Sequence, residues 1–128
     1  MKIKTSELIG PALDWAVAKC DGALHPLGNV RVIDSKWLLI CVGGDPNHGA
    51  SRVYFRPSTD WAQGGPIIER ERLSIRPDVA APEFRAFVIR PPIGLSHRYI
   101  GSTPLIAAMR CYVASKLGDE VDVPKELI

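Results

Sequence analysis

The stretch STDWAQGGPIIERE, residues 58–71, concentrates side chains able to recognise a ligand. Ser58, Thr59 and Asp60 carry oxygens that can cap a helix, and Thr59 and Asp60 could equally hydrogen-bond a ribose or a base edge. Trp61 offers a flat face for stacking, while Arg70 and Arg72 have the forked donors that meet anions. Gly64 and Gly65 then fall in a helical pattern, where each costs about 1 kcal/mol relative to alanine. Three arrangements compensate such a cost: close approach of another element, a tight turn between two short helices, or backbone N–H groups beside a ligand at the positive end of a helix beginning at Pro66. General packing favours the first. The third makes Thr59, Asp60, Trp61, Gly64, Gly65, Arg70 and Arg72 the candidate ligand-binding set.

Other chemistries find less support. GGDPNHG, residues 43–49, has the glycines of a phosphate loop but lacks its lysine. His25, His48 and His97 stand at no zinc-like spacing, and no HExxH or CxxC accompanies them, so no metal and no cofactor is expected. There is no GxSxG elbow, and a Ser58/His97/Asp60 triad is a grouping that chance supplies in a chain this long. An enzyme acting on a nucleotide or nucleic acid would draw its acid or base from Asp60, Glu69 or His97. With no recognisable constellation among them, no catalytic residue is assigned and a binding protein is the first expectation.

Charge and composition narrow the partners. The net charge is +2, but its distribution is uneven: residues 31–110 hold all ten arginines and one lysine against seven acids. An excess this small, with Glu69 and Glu71 between the arginines, argues against plain nucleic-acid binding. Cys20, Cys41 and Cys111 are odd in number and widely spaced, which fits a reducing cytoplasm. No apolar run reaches the roughly 18 residues of a membrane span, and MKIKTSEL has no apolar core like that of a signal peptide. Glycine and proline number 11 each among 128 residues. Short, sharply punctuated elements in a single domain over 1–128 are therefore expected.

Those elements must position the candidate residues. Gly10-Pro11 opens a helix over about 11–21, with Ala12, Leu13, Ala16, Val17 and Cys20 as its apolar stripe and Gly22 as its C-cap. Asp14 suits the first-turn dipole, and Trp15 lies off the stripe, where it packs, joins an interface or stacks on a ligand. Val30–Ile33 and Trp37–Val42 form a hairpin, followed by a short strand near 52–55. The 58–71 stretch is one kinked helix or two short ones. Leu73–Arg76 and Phe84–Arg90 are strands, and residues 91–102 a loop. Thr103, Pro104 and Gly118 bound a closing helix that buries Leu105, Ala108, Met109, Tyr112, Val113 and Leu117. Residues 119–128 form an acidic tail that packs through Val121, Val123 and Leu127 or frays.

ALDWAVAK (12–19), STDWAQGGPIIERE (58–71) and TPLIAAMRCYVASKLGDEV (103–121), in that order, resemble the NinX-like family of phage proteins. The middle and final helices are also similar to a broader phage domain with an α-β-α sandwich. The resemblance implies an α+β fold, with an antiparallel sheet packed between helices. It implies a phage or prophage accessory protein made in the host bacterial cytoplasm, and it transfers no catalytic residue. The expected role is to bind a host or phage protein, or to sequester a small nucleotide-derived ligand in an anti-defence role. Homo-oligomerisation is expected from Trp15, Trp37 and Trp61 on so small a sandwich.

Overall fold

The computed structural model describes residues 1–20, 30–34, 37–42, 51–88 and 98–128. It is an α+β fold with antiparallel sheets. In chain order it runs β1 (Lys2–Lys4), a 3₁₀ turn (Thr5–Glu7), α1 (Gly10–Cys20), β2 (Val30–Asp34), β3 (Trp37–Val42), β4 (Ser51–Tyr54) and α2 (Trp61–Glu71). Then follow β5 (Ser74–Pro77), β6 (Phe84–Phe87), β7 (Tyr99–Gly101), α3 (Pro104–Leu117), β8 (Glu120–Asp122) and a 3₁₀ turn at Lys125–Leu127. The sheets are β1-β8, β2-β3-β4 and β5-β6-β7, every pairing antiparallel.

The hub is α3. Thr103 caps it, its Oγ1 accepting from the Ile106 N–H at 3.1 Å, and Gly118 ends it at φ 89°. Beyond the predicted stripe, Ile106, Ala107 and Cys111 are buried too and Leu117 only partly, so the buried surface is wider than one stripe, with Arg110, Ser115 and Lys116 as the helix's polar residues. The cause is its position: β5-β6-β7 pack on one side of it and α1 and α2 on others. A helix so enclosed needs only a narrow polar edge. In α1, Ala12, Leu13, Ala16 and Val17 are buried as the stripe requires, and Trp15 packs half-buried under the Lys19 ammonium, 5.3 Å from its ring.

One expectation needs correction, and one open alternative is decided. Residues 91–102 are not all loop: β7 pairs with β6, matching Ala86 to Tyr99 and Phe84 to Gly101. A side chain at Gly101 would run into the Ala107 backbone, so glycine is what lets this short strand lie against α3. The acidic tail does not fray; β8 pairs with β1, Ile3 opposite Val121, and Val121, Val123 and Leu127 are buried. Thr5 ties the same end of the molecule, its hydroxyl donating to the Gly118 carbonyl at 2.6 Å. The Gly22 cap, the 43–49 loop, His25, His48 and His97 lie outside the described residues.

Candidate functional site

The 58–71 stretch forms a single helix with Pro66 inside it. Asp60 is its N-cap, one carboxylate oxygen accepting from the Ala62 N–H at 2.9 Å, and Arg56 stands 4.0 Å from the other. The positive end of the helix is therefore at Trp61, and the Gly64 N–H already donates to the Asp60 carbonyl at 2.8 Å. Gly64 is buried, and a Cβ there would collide with the Pro57 carbonyl and the Leu105 side chain. Close approach of α3 and the incoming chain thus explains Gly64. Gly65 has open space around it. Its value is to precede Pro66, whose ring crowds any Cβ on the residue before it in a helix.

The candidate residues on α2 do not converge on one spot. Trp61 is 57% exposed at the first position, with exposed Thr59 just before it. Arg70 lies nine residues on, about 13 Å along the axis at 1.5 Å per residue. Its guanidinium donates to Glu71 at 3.0 Å and to the Tyr112 hydroxyl at 3.1 Å, 5.6 Å from that ring. Arg72 closes the helix in the left-handed conformation, φ 56°, with an exposed side chain.

A buried carboxylate holds the approach to α2. Asp14, 5% exposed, accepts from the Ser58 N–H at 2.9 Å, joining α1 to the turn before α2. Burial pushes its carboxyl up to about 6, against the Ser58 groups and the Arg56 charge, which pull it down. Among the described residues the buried Ser58 hydroxyl has no partner in hydrogen-bond geometry. Neither residue lines a described cleft.

Arginine chemistry gathers instead on the β5-β6-β7 sheet. Ile75, Ala86 and Tyr99 are aligned across it, with Ala86 and Tyr99 buried on the α3 side. Alternation turns Arg76, Arg85 and Ile100, the next aligned row, to the opposite face, where Ile100 is 42% exposed. A cleft of about 250 Å³ opens there between Arg76, Asp78, Arg85, Phe87 and Arg98. One Asp78 oxygen accepts both forks of Arg85, at 2.9 and 3.2 Å, and the other accepts from the Ala80 N–H at 2.9 Å. The Ala80 bond and then Arg85 hold the Asp78 carboxyl below its ordinary range. Arg76 and Arg98 have no side-chain partner among the described residues. Two guanidiniums directly opposite across strands repel, a cost an anion would relieve.

The sequence carried a partial signal for this cleft. Inward alternation through Phe84, Ala86 and Val88 sends Arg85 and Phe87 outward, but only the β5-β6 register sets Arg76 against Arg85. Among the described residues no group of three or more His, Cys, Asp or Glu is placed to hold a metal ion. No described helix is long and apolar enough to cross a membrane. No curated protein matches the chain. Residues 4–116 match the family described as "Bacteriophage P22, NinX", which takes in α1, α2, all but the last residue of α3 and both arginine-bearing regions, so the chain belongs to that phage protein family.

Proposed function

We propose that this phage accessory protein is a non-enzymatic binder that sequesters a small nucleotide-derived anion in the host cytoplasm, in an anti-defence role. The observation that carries the reading is the pair Arg76 and Arg98, without carboxylate partners among the described residues, on an open sheet face beside Phe87. Guanidinium forks match phosphate geometry. The carboxylate of the cleft, Asp78, has both oxygens engaged and is held ionised, which suits positioning Arg85 rather than moving protons.

Calorimetry against ADP-ribose and cyclic nucleotides tests this. Heat that diminishes with added salt, and ligand recovered unchanged, are expected. No heat from any of them contradicts the binding reading, and a chemical product would replace it with the small enzyme acting on a nucleotide. A second reading, docking of a host or phage protein, rests on the exposed Trp61 at the start of α2. A host protein that co-purifies with the wild type and is lost in Trp61→Ala would favour it.

A further inference from the structure

The arginine cleft does not stand alone. Arg98 also borders a second cleft, about 330 Å³, walled by Lys4, Ser6, Tyr99, Asp119 and Glu120. One residue thus borders two spaces of different chemistry. Alone, each is at or below the small end of ligand pockets; joined, they fall within the usual range. The β1-β8 register sets Lys4 opposite Glu120, yet neither side chain has a partner among the described residues. Asp119 is oriented: one carboxylate oxygen accepts from the Tyr99 hydroxyl at 2.8 Å, and its carbonyl accepts from the Thr5 N–H at 2.7 Å. Burial and the neighbouring Asp119 push the Tyr99 phenol up to about 12, so it remains a donor and keeps that carboxylate fixed.

Resting on the anion-binding reading, we infer that the two clefts are one site for a ribonucleoside diphosphate, with its phosphates at Arg76 and Arg98 and its ribose diol at Asp119 and Glu120. Carboxylates accept hydrogen bonds from adjacent hydroxyls, as acidic residues do for ribose in dinucleotide-binding folds. The same carboxylates repel phosphate, so the ligand can enter in one orientation only. Lys4 and Ser6 supply further polar groups on the sugar side.

The test is a set of titrations with pyrophosphate, ADP and 2′-deoxy-ADP on the wild type and on Glu120→Gln. ADP is expected to bind about tenfold tighter than 2′-deoxy-ADP, the effect of one hydrogen bond to a charged acceptor. In Glu120→Gln that preference should fall severalfold, with Asp119 still in place, and pyrophosphate should bind at least as tightly because one repelling carboxylate is gone. Equal binding of ADP and 2′-deoxy-ADP by the wild type, or a preference undiminished in Glu120→Gln, overturns the sugar assignment while pyrophosphate binding upholds the anion site. Failure of both pyrophosphate and ADP to bind overturns both. Glu120 is exposed, so the variant should melt with the wild type; if it does not, the wild-type comparison of the two nucleotides decides.

Discussion

The α2 helix and the outer face of β5-β6-β7 both set arginines beside an aromatic ring and an acid, and they use them differently. On α2, Arg70 is taken up by Glu71 and by the Tyr112 hydroxyl and ring, and Lys116 approaches the same glutamate at 3.6 Å. On the sheet, Asp78 satisfies Arg85, while Arg76 lies directly opposite Arg85, and neither it nor Arg98, which lines the same cleft with Phe87, has a side-chain partner among the described residues. A helix surface packed on its neighbour can bring donors and acceptors together from two elements. An open sheet face holds its side chains at fixed strand spacing with solvent on the other side. Spacing in sequence therefore identifies arginines; what surrounds them decides which are free to meet a ligand.

The largest effect should come from the sheet. Replacing Arg76 and Arg98 together by alanine is expected to weaken ADP about 100-fold, roughly tenfold per guanidinium, with the melting temperature unchanged or raised as the repulsion with Arg85 goes. An equal loss from Arg70→Ala would break the comparison.

Next comes the lead-in to α2. The Asp14 carboxyl rises from 3.8 to about 6 on folding, so the native state holds its proton more tightly than the unfolded chain. The resulting penalty is fully present above pH 6 and fades as pH falls towards 3.8; at neutral pH it is at most roughly 3 kcal/mol. Asp14→Asn keeps an acceptor for the Ser58 N–H and removes the buried charge. It should be more stable than the wild type at pH 7 and lose that advantage by pH 4 in urea unfolding, with ADP affinity unchanged. Parallel stability curves for the two proteins would show that this carboxylate is not under strain.

Smaller effects separate the two glycines and define Arg70. Gly64→Ala should destabilise by about 1–3 kcal/mol through overpacking against Pro57 and Leu105. Gly65→Ala should stay within about 1 kcal/mol of the wild type, its helix propensity offset by crowding with Pro66. Thermal melts distinguish these outcomes, and similar losses at both positions would mean that the pair acts through backbone freedom instead. Arg70→Ala should cost about 1 kcal/mol, mostly from the Tyr112 contacts, and leave ADP binding intact.

Local signals in the sequence carried the helices well. Thr103, Pro104 and Gly118 bound α3, Asp60 starts α2, and two β-branched and leucine-rich runs around a short polar break became the β2-β3 hairpin. What depended on distant partners was not legible. The strands β1, β7 and β8 are three residues each, too short for a pattern, and pairing defines them. Asp14 reads as a first-turn acid, and only packing shows it buried against Ser58. The same limit hid the arginine cleft: the concentration of arginine in the middle of the chain was plain, but its placement on one open face follows from strand register.

The most direct test of the division between these two regions is to follow backbone amide resonances in a ¹H–¹⁵N spectrum while ADP is added. Shifts clustered at Arg76, Arg85, Arg98 and Ile100, with Trp61, Gly65 and Arg70 unmoved, are the expected result. Shifts centred on Trp61 and Gly65 instead, or none anywhere at millimolar ADP, would contradict the assignment of the binding face to the sheet.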